Sequence, residues 1–509
     1  MLARARTFTI EGLHARAVSV EVDIRAGLPA FAIVGLADAA VREARDRVHA
    51  AVLNSGFEFP ARRITANLAP ADVPKIGPGF DLALACAVLA ASGQIALELL
   101  DTHALFGELS LDGEVRPCHG TLAVAEACRK ADMRMLLLGP GRAQEATLVD
   151  GLKIGVVERL CSAARVLGGG PPDPLPRPGR VCAVRSPQSG LDLKDVRGRH
   201  DAVEALTVAA AGGHNSLLSG PPGTGKTMLA QRLPSILPPL RRAEAIEVMR
   251  IHSVTGRLAG AELFSERPFR APHHTITTAG MIGGARRGWI GEAVLAHNGI
   301  LFLDELSEFA RPTLEALRQP LEDGRVAIVR ARHSAVYPAR FMLVAATNPC
   351  PCGYAGEQER CKCSEADLAR HRRRLSGPLL DRIDLLLGME RSGADQLTLA
   401  PWTSSAHARE RVIEARERQA ARLAETGILV NAQMDTAMLR RYVKLDEDGH
   451  LLLNGTHERG TMSARGQHRA LRVARTLADL QGCEQVEAEH LARALSWRPE
   501  AGLNSRRAA

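Results

Sequence analysis

The run Gly220, Pro221, Pro222, Gly223, Thr224, Gly225, Lys226 and Thr227 constrains this chain more than any other stretch of its sequence. It satisfies G-x-x-x-x-G-K-[ST], follows the short apolar run Ser216–Ser219, and opens a helical pattern over 228–233. Strand, glycine-rich turn and helix in that order predict a cradle for phosphates. The glycines let backbone N–H groups wrap the phosphates at the positive end of the helix. Lys226 is expected to reach the β- and γ-phosphates and the Thr227 hydroxyl to ligate Mg2+, which makes ATP and Mg2+ the expected cofactors. Downstream, Gly299-Ile-Leu-Phe-Leu-Asp304-Glu305 reads as a buried strand ending in two carboxylates. Asp304 is expected in the Mg2+ shell, and Glu305 as the base that polarises the attacking water.

A chain of 509 residues has room for about three domains. The clearest break in composition is 168–180, where stacked prolines forbid helix and favour extended, exposed backbone. Before it, apolar runs at 31–34 and Met135–Leu138 alternate with helical patterns around 40–53 and Asp81–Ala91. After it, strand-like Ser216–Ser219, Ile300–Leu303 and 341–345 are separated by helical stretches, as in a parallel sheet with crossover helices. From about residue 391 strand signals fade, and Ala470, Val473, Ala474, Leu477 and Leu480 line one apolar helix face. The fold class is therefore α/β. An N-terminal α/β domain is expected over 1–170, a Pro/Gly-rich linker over 171–190, a nucleotide-binding core over 191–390 and a helical domain over 391–509.

Apolar residues make up 46% and charged residues 24% of the chain, which excludes a mostly disordered or fibrous protein. The longest apolar stretch, 82–91, is shorter than the ~20 residues that span a bilayer. The N-terminal residues lack the apolar region and cleavage site of a signal peptide, so a soluble, cytoplasmic protein without a membrane partner is expected. A net charge of +8 fits a polyanionic partner but decides nothing alone. Six scattered cysteines, Cys86, Cys118, Cys128, Cys161, Cys182 and Cys483, are expected as small buried hydrophobes.

Asn348 ends a further apolar run, where its amide either orients the water or γ-phosphate or completes a turn. Beside the phosphate cradle it resembles the sensor 1 residue of AAA+ ATPases. Arg382, in Gly377-Pro-Leu-Leu-Asp-Arg382-Ile-Asp384, resembles the arginine finger of that superfamily, supplied across a subunit boundary to stabilise transition-state charge. The alternative is a structural salt bridge with Asp381 or Asp384. The match then widens to FAIVGLADAAVREARDRV, NSGFEFPARRITANLAPAD, AAAGGHNSLLSGPPGTGKTMLAQRLPSILPPL, FRAPHHTIT, GEAVLAHNGILFLDEL, AATNPCPCGY, SGPLLDRIDL and LRVARTLADL. From end to end the chain resembles the ComM/YifB family, the Mg-chelatase-like AAA+ proteins of bacteria.

The resemblance implies a hexameric, ATP-driven motor on branched or single-stranded DNA, with branch migration in homologous recombination and natural transformation as its activity. It implies an AAA+ core followed by a helical lid, with Arg465 as the sensor 2 arginine on the γ-phosphate and Arg469 as the next candidate. Either can instead decorate an exposed helix face. It marks 326–337 as the hairpin before sensor 1, with Arg330, Arg332 and His333 as candidate DNA-phosphate contacts or an ordinary solvated turn. The insert at 281–289, with Arg286 and Arg287, is the alternative DNA grip. The N-terminal domain resembles the proteolytic domain of Lon. Here Gly77-Pro78-Gly79 has glycine where that family has its serine, and 118–128 contains no lysine, so acyl transfer is not expected.

Cys350, Cys352, Cys361 and Cys363 form C-x-C-x8-C-x-C directly after Asn348. Four thiolates can close a tetrahedral Zn2+ site, although C-x-C is tighter than the usual C-x2–4-C; reduced cysteines in a surface loop are the alternative. His371 is expected with Arg370, Arg372, Arg373 and Arg374, a basic run that either contacts DNA or is a solvated helix face. Besides the DNA motor, a chelatase-type ATPase that drives metal insertion or remodels a protein partner fits the core. The chain carries no D-x-S-x-S metal motif and no acidic linker to support it.

Overall fold

The computed structural model describes all residues except 37, 177–189, 259–263, 285–289, 331–332, 356–359, 375–376, 392, 394, 396–399, 459–461 and 499–509. Contacts group the chain into two compact units. The first comprises Met1–Val184, Arg242–Phe264 and Val329–Ala335, and the second Arg185–Arg241, Ser265–Ile328 and Val336–Ala509.

The first unit is built on β1 (Leu2–Glu11), β2 (His14–Arg25), β3 (Ala30–Val34), β4 (Arg63–Ala69), β5 (His103–Phe106), β6 (Glu108–Leu109), β7 (Val115–Arg116), β8 (Met135–Leu138) and β9 (Lys153–Val156). Seven of these make one sheet in the order β3-β4-β2-β1-β5-β8-β9, and β6 and β7 form a separate ribbon. Strand β2 pairs antiparallel with β1 and β4, while the remaining neighbours are parallel. Val18, Val20, Val22 and Ile24 alternate along β2 and are buried, the period-two pattern of a strand with one covered face. The helix Asp81–Ala91 is buried at every residue, as its all-round apolar sequence requires.

The segment Arg242–Phe264, expected in the nucleotide-binding core, packs instead in the first unit. Its Met249 and Leu258 are buried with Phe8, Phe106, Leu122 and Leu138. Polar contacts fix the same docking: the Ser253 hydroxyl donates to Glu145 Oε2 at 2.7 Å, and Arg250 pairs with Glu126 at 2.7 Å. The start of the expected linker is also held, because Asp173 bridges β9 at Val156 and accepts from the Glu158 N–H at 2.8 Å. The rest of that linker, 177–189 with Cys182, lies outside the described residues. Cys86, Cys118 and Cys128 are buried as expected, whereas Cys161 is exposed and Cys483 half-buried.

The second unit contains β10 (Ser216–Ser219), β11 (Phe269–Arg270), β12 (Ile300–Leu303), β13 (Arg325–Arg330), β14 (His333–Pro338), β15 (Met342–Thr347) and β16 (Leu385–Gly388), with the tip of the β13–β14 hairpin assigned to the first unit. Five of them form a parallel sheet, β11-β12-β15-β10-β16. The strands β12 and β15 are wholly buried, which is why they read as continuous apolar runs. The helices Ser405–Arg422, Ala464–Gln481 and Ala488–Ser496 are not a separate body. Ala408, Val412, Ala470, Val473, Ala474 and Leu477 share one core with Leu229, Leu233, Ile300 and Val344.

A buried ionic knot fastens these helices. Asp479, 1% exposed, accepts from Arg422 at 2.7 and 2.8 Å and from the Asn431 amide at 2.8 Å, and pairs with Arg475 at 3.0 Å. Two guanidiniums and an amide around one carboxylate satisfy charges that no apolar core would tolerate singly. Among the described residues, no helix is long and apolar enough to cross a membrane.

Candidate nucleotide site

Strand β10 ends at Ser219, and the next six residues turn back before the helix Lys226–Ile236 begins. Gly223 and Gly225 hold φ of 79° and 86°, the left-handed backbone that turns successive N–H groups to one side. Lys226 is buried, and its Nζ donates to Gly220 O at 2.6 Å, Pro221 O at 2.9 Å and Asn348 Oδ1 at 3.1 Å. Burial holds this ammonium below its ordinary pKa, against the pull of Asp304. Thr224 closes the turn with a bond from its hydroxyl to Pro221 O at 3.0 Å.

Two parallel strands deliver the remaining groups. From β12 comes Asp304, whose Oδ2 accepts from the Thr227 hydroxyl at 2.8 Å. From β15 comes Asn348, already bonded to Lys226. A hydroxyl and a carboxylate oxygen in contact beside a lysine are the hard-oxygen donors that Mg2+ takes when phosphates supply further ligands, so these residues fit the ion. Glu305 follows with φ of 52° and an exposed carboxylate. A non-glycine residue in that conformation is costly and marks functional sites.

The turn at Glu305 faces a residue to which the sequence assigns no role. His274 Nδ1 lies 3.5 Å from Glu305 Oε2, and its ring sits edge-on to Phe309. The signal was present in the stretch FRAPHHTIT, but only the fold shows that it meets the carboxylate. The same stretch contributes Arg270, which grips Glu292 through two bonds of 2.6 and 2.9 Å.

The arginines form a second group. Arg382 is buried and pairs with Glu322. Asp384 is engaged elsewhere: it accepts from the Asn215 N–H at 3.0 Å and pairs with Arg469 at 3.3 Å. Burial pushes its carboxyl upward, but His214, Arg469 and Arg472 together hold it below the ordinary value. Arg469 is thus committed to Asp384, while Arg465 is 76% exposed with Asp381 at 4.0 Å. Burial acts first against the Arg382 charge, and Arg318, Arg469 and Arg465 add to it, so four cations lie close together.

The four cysteines meet as the spacing suggested, with all sulfurs within 4.8 Å of one another. The Tyr354 N–H, then Cys350, Lys362 and Cys363, hold the Cys352 thiol down to about 6. His371 does not belong with the basic run. It is buried, and its Nε2 bonds to Asn348 O at 2.9 Å, while Arg370 pairs with Asp367 and Arg374 with Glu308. Of the hairpin cations, Arg330 and His333 fall on β13 and β14, and Arg332 lies outside the described residues, as do Arg286 and Arg287.

A parallel sheet with a glycine-rich phosphate turn, an acidic strand end and a polar residue on the strand between them defines an AAA+ ATPase domain. The chain matches the magnesium chelatase subunit ChlI family over 192–397, with further ChlI matches over 20–141 and, for its C-terminal part, 402–498. It belongs to the Mg-chelatase-like family that contains YifB and ComM. It is 42% identical to YifB of Escherichia coli over 490 residues, covering 96% of this chain and 95% of that one. It is 42% identical to the competence protein ComM of Haemophilus influenzae over 493 residues, 96% and 95% of the two chains. A protein of Mycobacterium tuberculosis is 44% identical over 503 residues, 98% of each chain. A Lon protease of Bacillus subtilis is 27% identical over 187 residues, 31% of this chain and 33% of that protein. Membership in this family implies use of ATP and Mg2+.

Proposed function

We propose that this chain hydrolyses ATP as an oligomer, expected to be a hexamer, and uses the energy to move branched or single-stranded DNA, as in branch migration during recombination. The observation that carries the hydrolytic part is the convergence of Lys226, Thr227, Asp304 and Asn348 at 2.8–3.1 Å. Lys226 exchanges carbonyl partners for phosphate oxygens, and the incoming anion restores the charge that burial disfavours. Thr227 and Asp304 are the groups that would hold Mg2+, which neutralises charge between the phosphates. Asn348 orients the γ-phosphate or water, and Glu305 takes the water's proton while His274 steers its carboxylate. Arg382 acts across a subunit boundary, and Arg465, the exposed lid arginine, reaches the γ-phosphate.

The DNA part rests on the family resemblance and on the name of the relative ComM, a competence protein. The family description, magnesium chelatase, favours a second reading: an ATPase that drives metal insertion or remodels a protein partner. Turnover measured with single-stranded, duplex and four-way DNA separates the two. A motor must pass every sequence, so it grips phosphates, and DNA stimulation should be sequence-tolerant and fall steeply with salt. Junctions should move only with hydrolysable ATP, and Arg330→Ala/Arg332→Ala should abolish movement while basal turnover persists. An ATPase rate that no DNA changes at low salt would leave the chelatase-type reading.

A further inference from the structure

The four cysteines after Asn348 are placed to control the nucleotide site. Cys350 Sγ lies 3.3 Å from Cys352 Sγ and 4.0 Å from Cys361 Sγ, and Cys352 lies 3.8 Å from Cys361. Four thiolates at ~2.3 Å from one tetrahedral Zn2+ stand about 3.8 Å apart, so these separations bracket the required value. A disulfide needs sulfurs about 2.05 Å apart, and all four cysteines are free.

Both ends of this cluster press on nucleotide-site groups. On one side the chain turns through Gly353, whose N–H donates to Cys350 O at 2.9 Å and whose φ is 86°. A Cβ there would lie 2.7 Å from Pro222 Cδ, so the backbone of the cysteine loop rests directly on the phosphate turn. On the other side Cys363 runs into the helix Glu365–Arg374, and from that helix the buried His371 bonds Asn348 O at 2.9 Å. Closing the cluster therefore ties Pro222 and Asn348 to a single point. Left open, four reduced thiols would hold neither contact by any bond of their own.

We propose that Cys350, Cys352, Cys361 and Cys363 bind one structural Zn2+, and that the closed loop braces Pro222 directly and Asn348 through His371, so that ATP turnover depends on the metal. This rests on the reading of Lys226 and Asn348 as nucleotide-site residues. His371 is a positioning residue in this scheme.

The test uses the full chain, purified without chelator. Elemental analysis should find one Zn2+ per chain, and almost none in Cys352→Ser/Cys361→Ser. Because that variant can fail to fold, the decisive measurement is made on the unaltered protein. A mercurial titrates the thiols, released zinc is read with a colorimetric indicator, and turnover is followed in parallel. Turnover should fall about tenfold as the metal leaves, the size typical of lost supporting contacts, and return when thiols and Zn2+ are restored. His371→Ala should keep its zinc and lower kcat with KM for ATP nearly constant, and His371→Gln, which retains a donor, should recover kcat. Zinc-free protein with full turnover, or stoichiometric iron in place of zinc, overturns the metal site. Zinc release that leaves turnover unchanged overturns the brace. Zinc-loaded protein with no turnover would instead overturn the nucleotide reading, and the coupling with it.

Discussion

Glu305 carries an unusual pairing of costs, and replacing it with glycine should separate them. Its φ of 52° places a side-chain-bearing residue in left-handed backbone, which costs roughly 1–2 kcal/mol. Glycine removes that cost but adds about 0.4–1 kcal/mol of unfolded-chain freedom. The carboxylate is 58% exposed and its neighbour His274 stands 3.5 Å away, so truncation sacrifices little packing and a weak surface contact. The balance is about 1 kcal/mol in favour of Glu305→Gly over Glu305→Gln, which keeps the strained backbone. In a thermal melt without nucleotide this is a rise of about 2 °C. Both variants should lose turnover by about 100-fold or more, because each removes the base while leaving Lys226, Thr227 and Asp304 untouched. A glycine variant melting at or below the glutamine variant would refute the strain argument. A glutamine variant that hydrolyses ATP at near the original rate would refute the base.

Two further outcomes follow from the charged groups. Arg382→Ala and Lys226→Ala should each be inactive alone yet regain turnover when mixed, since each supplies the half-site the other lacks; mixed oligomers that form but stay inactive would show that Arg382 does not act in trans. Asp479→Asn leaves the buried Arg475 and the half-buried Arg422 without their carboxylate and should cost about 3 kcal/mol, read as a lowered melting temperature; an unchanged melt would mean the knot contributes nothing net.

The parts legible in the sequence were those whose chemistry is local. The strand, turn and helix around Lys226 lie within about twenty residues, and the face from Ala470 to Leu477 repeats at helical spacing, so both can be read without a partner in view. Asp479 and Arg475 sit on that same helix and look like solvated charges, because nothing in their own segment reveals Arg422 and Asn431. His371 was hidden for a related reason: its arginine neighbours suggest a surface, but its own helix turn faces inward toward Asn348. His274 and Glu305 are about thirty positions apart and meet only because parallel strands bring their ends together. The apolar side of Arg242–Val254 announces a buried helix without naming what buries it.

That last segment has a consequence for the order in which the protein can be made. Residues Met1–Val184 emerge first, but Met249 and Leu258 complete their core only after Phe264 is synthesised. The ribosome adds the intervening eighty residues in roughly 4–16 s, at about 5–20 residues per second. During that interval the surface that receives Met249 stays open to water. A nascent chain stalled near residue 240 should therefore be protease-sensitive and chaperone-bound, and one stalled well past 264 should not. For the same reason a single cut near residue 190 cannot yield two intact halves: the N-terminal piece lacks the helix Arg242–Val254, and the C-terminal piece carries it with its apolar side bare.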